Sequence, residues 1–377
     1  MVFLQLFDIV SSKGVPPTMK LYNHTLQGTY PGQLDGIVGF QRYGSRALGS
    51  TVPADVIQIN PELSEQFGWI ANHFRTVGIE TAETVIFDDR FEVANDYPEH
   101  EFDVFLFSDL AHRVRPDDRR QQAVRRIDNK NEFIKLCQSL GTPVPATQCF
   151  DCAESLAAAA DELTFPLYLK VAVSASGQGV MRCRDGAELR ARASGLPGVP
   201  FQLQAELRGV RFLNLQYVDR LGRAERLGAT SQVLDGFVHA GNQCPAPSEP
   251  WHVTDRIAQE VVSLGVKGVF AFDVAVSEDD PEQAYVIECN PRWNGSTYFW
   301  NVASRLGVTC WESRNISTNG RTTLDGLPLG DLTFDPCRKK GVVVVNWGCI
   351  KDGKLGVLLA GDCDERAEML EALRARL

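Results

Sequence analysis

The sequence predicts an N-terminal parallel α/β domain, an α+β region behind it, and a small C-terminal α+β cap. Three observations carry this. Over the first 125 or so residues, short runs rich in Val, Ile and Phe alternate with polar helical stretches, the pattern of a parallel layer. The middle of the chain holds two apolar-alternating strands joined by an acidic turn, Val269–Arg292. The end pairs one strand with one helix.

In order, Val2–Val10, Val56–Ile59, Thr84–Phe87 and Phe102–Phe107 read as strands, and Pro61–Val77 as a helix that stops at Gly78. Arg113–Arg126, which contains Pro116, reads as a basic connector with a solvated charged face. A helix follows, opened by Asn129 with Glu132 three residues on. Its stripe is Phe133, Leu136, Cys137 and Leu140, and Gly141 with Pro143 ends it. Ala153–Leu163 reads as an alanine-rich helix; Leu167–Val173, Phe201–Leu207 and Leu213–Val218 read as strands. Thr254–Leu264 is a helix stopped by Gly265. The last segment holds the strand Val342–Val345 and a helix Glu365–Leu377, with Asp364 as N-cap and Leu370, Leu373 and Leu377 inward.

The 377 residues suffice for two to three domains at about 150 residues each. Acids exceed bases, 48 to 38, for a net charge of −10, which argues against a nucleic-acid binder resting on a basic footprint. No apolar run approaches the roughly 20 residues that span a bilayer. The first ten residues hold Asp8 and no basic n-region, so the expected compartment is the cytoplasm. Ten scattered cysteines then read as small buried hydrophobes. The Cys149/Cys152 pair lacks the second pair or the histidines that zinc would need. Neither GxGxxG nor GxxxxGK[ST] occurs, which leaves the dinucleotide and P-loop sites unsupported.

The chemistry is concentrated in two stretches. If Phe270–Val276 and Tyr285–Asn290 pair about the turn 277–284, Val276 faces Tyr285, Asp273 stands opposite Glu288, and Asn290 shares their face. Two opposed carboxylates in an apolar hairpin repel each other unless a cation sits between them or one is neutralised. Oxygen donors from Asp, Glu and Asn suit Mg²⁺, and Arg292 adds a donor fork suited to phosphate. In the second stretch, Lys170 lies within an apolar strand, and the small residues Ser174–Gly179 come directly after it. Such a loop can wrap an anion with backbone N–H groups, although Gly and Ser also mark any hairpin turn.

Together these pieces resemble the ATP-grasp superfamily, over about Arg126–Thr318. Glu288-Cys289-Asn290-Pro291-Arg292 is similar to its E-x-N-P-R signature, and Asp273 to its other metal-binding acid. Lys170 and the Ser174–Gly179 loop are similar to its strand lysine and mobile glycine-rich loop. Lys130, opening a helix that exits through Gly141-Thr142-Pro143-Val144-Pro145, is similar to its first nucleotide lysine. Gln204-Ala205-Glu206-Leu207 falls at its adenine hinge.

The resemblance implies domains 1–125, 126–318 (a two-lobed core whose small lobe is about 150–207) and 319–377. It implies ATP held by Lys130, Lys170, Ser176, Gly177, Gly179, Gln204 and Leu207. Magnesium, as one or two ions with Mn²⁺ as substitute, would sit on Asp273, Glu288 and Asn290, with Lys170 and Arg292 as the catalytic cations. The implied reaction is that of a carboxylate–amine ligase, phosphorylating a small-molecule carboxylate and joining it to an amine. No nucleic-acid or membrane partner is implied, and a homodimer is the assembly it allows.

Two departures bear on the ribose. Gln204 stands where a Glu is common, and Arg211 where an acid is common; Glu206 is the substitute acid considered. On the substrate side the candidates are His239, Asn242 and Ser296, with Trp293 either walling the pocket or packing. Arg42 and Arg46 read as carboxylate binders or as solvated loop arginines. The alternatives are a biotin- or bicarbonate-dependent carboxylase subunit, which shares the core, and a nucleotide-binding module without turnover.

Overall fold

The computed structural model describes residues 18–30, 34, 37–158, 163–174, 177, 179–236 and 238–377. The strand expected at Val2–Val10 lies outside them, as do residues 159–162 of the expected 153–163 helix. Within the described part, a 3₁₀ turn covers Ala153–Ala158.

The N-terminal layer contains β1 (Lys20–Asn23), β2 (Val56–Gln58), α1 (Phe67–Thr76), β3 (Thr84–Ile86) and β4 (Glu101–Val104). The strands lie in the order β3-β2-β1-β4 and all pair parallel. The helix expected over 61–77 is divided. Asn60 accepts a hydrogen bond from the Glu62 N–H and starts a 3₁₀ turn, Pro61–Gln66, which runs into α1; Gly78, at φ 89°, ends the segment.

The basic connector is a correction. It folds as α2 (Asp109–Val114), capped by Ser108, and α3 (Asp118–Asp128), capped by Asp117. Its charge run conceals a short stripe, Ala123, Val124 and Ile127, which is buried with the Arg120 guanidinium over the Phe107 ring, while Arg119, Arg125 and Arg126 face outward. In α4 (Lys130–Ser139), the Asn129 side chain accepts from the Asn131 and Glu132 N–H groups. The Lys130 N–H donates to the Ala172 carbonyl at 2.7 Å, tying the start of α4 to the end of a small-lobe strand.

That lobe contains β5 (Thr147–Phe150), β6 (Leu167–Val171), β7 (Val180–Cys183), α5 (Gly186–Ala193) and β8 (Phe201–Ala205). Its antiparallel order is β5-β8-β6-β7, and it has its own core around Phe150, Leu169, Leu189 and Phe201. The next elements are β9 (Val210–Arg220), β10 (Arg223–Asp235), β11 (Val238–Cys244), α6 (Asp255–Leu264), β12 (Val269–Ser277), β13 (Ala284–Asn290), α7 (Gly295–Leu306) and β14 (Trp311–Ser317). Then come β15 (Gly341–Asn346), β16 (Lys354–Ala360) and α8 (Cys363–Arg376). One eight-stranded antiparallel sheet takes the order β13-β12-β9-β10-β11-β14-β16-β15, so the strands after residue 319 extend the sheet that carries the acid hairpin. The cap of α8 is Asp362, two residues before the expected Asp364; it forms a reciprocal capping box with Glu365.

The β12–β13 hairpin departs from simple counting in an informative way. Val276 pairs with Ala284 rather than with Tyr285, a slip of one residue. A bulge between Asp273 and Val274, at the Ile287 step, takes up the slip. Asp273 therefore still pairs with Glu288, and Ala271 with Asn290. No helix among the described residues is long and apolar enough to cross a membrane.

Candidate functional site

The two lobes and the N-terminal layer enclose one large cavity of about 990 Å³. Among its described lining residues the carboxylates are Asp273 and Glu288, against six cations: Arg46, Lys130, Lys170, Arg292, Arg314 and Lys354. A low-dielectric cleft lined mainly by one sign of charge concentrates ligands of the other, so this cavity is built for anions.

At its centre is the acid pair. Asp273 Oδ1 accepts from Asn214 Nδ2 at 2.8 Å and from Gln232 Nε2 at 2.6 Å, and its Oδ2 from Asn290 Nδ2 at 3.3 Å. Lys130 Nζ stands 3.2 Å from Glu288 Oε2 and also reaches the Ser174 carbonyl at 3.2 Å. Burial, and then the charge of Glu288, push the Asp273 carboxyl up to about 7. Burial also works against the charge of Glu288, but Lys130 and Lys170 overcome it and hold this carboxyl low. One acid of the pair is thus readily ionised and the other waits for a compensating charge.

Among the described residues no three His, Cys, Asp or Glu side chains come together as a metal cluster; the donor set is two carboxylates and the Asn290 amide. Its oxygen-only chemistry, and a carboxyl pushed up by burial and by the charge beside it, fit a hard divalent cation that would take the proton's place.

Lys170 emerges from β6 and donates to Gln204 Oε1 at 2.6 Å; Gln204 Nε2 in turn donates to Thr147 Oγ1 at 3.1 Å. Burial lowers the Lys170 ammonium to about 8. A neutral amide at 204 leaves Lys170 without the carboxylate that a Glu would supply, free to answer a ligand's charge. Gly177 and Leu207 line the cavity. Gly179 sits at φ 69°, where an added Cβ would come within 2.9 Å of Val171. Ser176 lies outside the described residues.

The two ribose concerns resolve differently. Alternation along β9 turns Val210, Phe212 and Asn214 to the cavity and leaves Arg211 exposed on the other side. Glu206, the substitute acid considered, is taken by Arg182 at 2.6 Å and Arg208 at 3.5 Å.

Arg292 reaches out of β13's end toward the N-terminal layer. Its Nε donates to the Tyr30 hydroxyl at 2.8 Å, and that hydroxyl donates to Asp128 Oδ1 at 3.0 Å. Sequence reasoning missed Tyr30, because no local pattern ties it to a residue 262 positions away.

Of the substrate candidates, Ser296 lines the cavity and donates to Asn214 Oδ1 at 2.7 Å. His239 and Asn242 line it too, joined Nε2 to Oδ1 at 2.6 Å. Asn242 Nδ2 donates to Thr230 Oγ1, which turns Oδ1 toward the histidine and fixes the proton on Nε2. Nδ1 is then a proton acceptor, and burial lowers the pKa of the ring, which favours its neutral form. Trp293 is a correction as a pocket wall: it is absent from the described lining and packs at 4.7 Å against His24 and 5.2 Å against Tyr298. Arg42 is paired with Glu62 and Asp352, whereas Arg46 is buried on the cavity wall.

Comparison with known proteins bears on the fold that carries these residues. A family model described as an ATP-grasp domain matches residues 127–296. The chain is similar to the carbamoyl phosphate synthase large chain of Thermus thermophilus, 26% identical over 228 residues. The match covers 57% of this chain and 21% of the relative, so the chain corresponds to about a fifth of that protein's length. Among solved structures it is similar to a biotin carboxylase complex from Campylobacter jejuni, with TM-score 0.60 and 12% identity over 86% of this chain and 85% of that one. It is also similar to N5-carboxyaminoimidazole synthetase from Staphylococcus aureus complexed with ADP, with TM-score 0.57 and 13% identity over 85% and 90%. At these identities the structural likeness is one of fold.

Proposed function

Residues 127–296 of this chain are an ATP-grasp domain, and from that premise we propose that the protein is an ATP-dependent ligase. It transfers the γ-phosphoryl group of ATP to a substrate carboxylate and joins the resulting acylphosphate to an amine, releasing ADP and phosphate. The observation that carries the reading is the Asp273–Glu288–Lys130–Lys170 cluster in the middle of a cationic cavity that continues well past it.

In this reading Lys130 and Lys170 neutralise the triphosphate, and a bound phosphate restores the ammonium charge that burial weakens at Lys170. Gly177 and Gly179 let the loop backbone approach the phosphates, Gln204 and Leu207 border the adenine, and Asp273, Glu288 and Asn290 would hold Mg²⁺. The ion would supply charge neutralisation at the transferring group. Arg292, oriented by Tyr30, stabilises the oxyanion that forms when the amine attacks the acyl carbon. As phosphate leaves, the amine proton passes to His239 Nδ1.

Turnover with a panel of carboxylates and amines tests this, with the spent nucleotide separated by chromatography. ADP formation that requires both a carboxylate and an amine is the expected result, and stoichiometric AMP would refute the acylphosphate route. The names of the structural neighbours favour a second reading, a bicarbonate-using carboxylase; ADP release stimulated by bicarbonate alone would select it. ATP binding without any turnover would select the non-catalytic module. Hydroxylamine, a strong nucleophile that needs no base, separates the steps: His239→Ala should still form hydroxamate from the acylphosphate while amide formation collapses. Loss of both products would assign His239 elsewhere.

Tyr30→Phe should lower turnover roughly tenfold, since a hydrogen bond to a charged group is worth about 1.5 kcal/mol or more, with ADP affinity unchanged. Unaltered turnover would show that Arg292 needs no orientation from the N-terminal layer.

A further inference from the structure

Beyond the acid pair, the cavity runs on to a second end between the 3₁₀ segment Phe40–Ser50 and strands β14–β16. Tyr43, Arg46, Asn315, Asn346 and Lys354 line it. Arg46 is 8% exposed, and its buried Nε has no hydrogen-bond partner. Its guanidinium carbon lies 4.1 Å from the Tyr298 ring centroid and 5.2 Å from that of Tyr43. Tyr298 is itself fixed, its hydroxyl 2.9 Å from His24 Nδ1, with His24 Nε2 3.1 Å from Asp103. The arginine is therefore held on a rigid aromatic mount in the cavity wall.

Lys354 Nζ donates to the Tyr43 hydroxyl at 2.9 Å, which puts a second cation around the same tyrosine. Among the described residues neither Arg46 nor Lys354 forms an ion pair, although acids stand close by: Asp352 and Glu62 are taken by Arg42, four residues before Arg46. A buried guanidinium with an idle donor and no counter-charge is costly unless a ligand supplies the anion. The planar fork of arginine, a lysine point charge and two amides are a donor set for an oxyanion.

We propose that Arg46 and Lys354 form an anion subsite, so that a reactant bears a second oxyanion group, carboxylate or phosphate, besides the carboxylate that is activated. This rests on the ligase reading for what happens at the acid pair, while the subsite itself rests on the cavity alone. Simple monocarboxylic acids and bicarbonate would leave it unfilled; dicarboxylic or phosphorylated acids would fill it.

Calorimetry on the full chain, with Mg-ADP present to cover the phosphate cluster, tests the subsite with glutarate, inorganic phosphate and, as control, butyrate. Binding of glutarate or phosphate but not butyrate is expected, and the anion that binds identifies the source. Arg46→Met and Lys354→Met should each weaken that binding at least tenfold while ADP affinity stays as in the parent protein. Lys354, half-buried at the start of β16, gives a variant that does not disturb the core, so a folding defect in the Arg46 variant leaves the test decisive. Equal anion binding in the parent and the Lys354 variant, or failure of both anions to bind the parent, overturns the subsite. Anion binding lost in the variants of a protein that binds no ADP would uphold the subsite and overturn the nucleotide reading instead.

Discussion

Glu288→Gln should cost this protein about two orders of magnitude or more in turnover with its fold intact, since one preorganised electrostatic group contributes roughly 3 kcal/mol to a transition state. The substitution keeps the shape of the side chain, removes the partner of Lys130 at 3.2 Å, and relieves Asp273 of the like charge that helps push it up. The pH dependence follows in sign. In the empty protein Asp273 titrates near 7 rather than at its ordinary 3.8, so the stability it lends is complete below about pH 4 and is lost as pH rises through 7. Glu288, held low by Lys130 and Lys170 against the effect of burial, contributes above about pH 4.5 and loses that contribution as pH falls further. A divalent cation must displace the Asp273 proton, so the rise in melting temperature given by Mg-ADP should grow from pH 6 to pH 8 in the parent protein. In the Gln variant that rise should be small and nearly flat with pH. Thermal melts across this range, with and without Mg-ADP, together with initial rates, check both halves. A variant with full activity and an unchanged Mg-ADP shift would remove Glu288 from the site.

The second large effect is structural. Gly241→Ala should destabilise the protein by about 3 kcal/mol, the upper end of the usual cost of overpacking. A Cβ there would stand 1.9 Å from the Ser313 carbonyl oxygen on the neighbouring strand, and backbone cannot swing aside as a side chain can. Gly241 pairs with Arg314, and Asn242 with Ser313, where β11 meets β14. Forcing these strands apart would detach β14–β16 from the rest of the sheet. It would also move Asn242, which fixes the His239 tautomer. The expected outcome is a lower melting temperature and lost turnover, with ADP still bound by the remaining lobes. A melting temperature within a degree of the parent's would show that the strands have room the geometry denies them.

Much of this protein was legible because its central elements are local. Asp273 and Glu288 lie 15 residues apart on one hairpin, and a period-two pattern aligns them across the turn. The pairing at the acids came out as counted only because a bulge absorbed a one-residue slip near the turn, and the sequence carries no sign of that bulge. Asn129 starts α4, and an apolar stripe defines it, so Lys130 could be placed at a helix start. Lys170 in its apolar strand, with small residues following, was equally plain.

Other features depended on distance along the chain. The charges of Arg113–Arg126 outweighed the buried apolar stripe of α3, Ala123, Val124 and Ile127, and the two helices became clear only once something packed against them. Arg211 raised a concern that strand alternation dissolves, because its face depends on which neighbours β9 takes. Tyr30 meets Arg292 across 262 positions, and Lys354 meets Tyr43 across 311.

The sequence by itself determined the chemistry: an acid pair, two lysines and an arginine in an order that resembles one superfamily. Tertiary structure alone decided that Arg46 is buried in the cavity wall rather than solvated, that Trp293 packs away from it, and that β15 and β16 complete the sheet beside it. The physical reason is that patterning records which residues leave water. It does not record which distant surface they meet when they do, and long-range strand pairing and burial are settled only when the whole chain closes on itself.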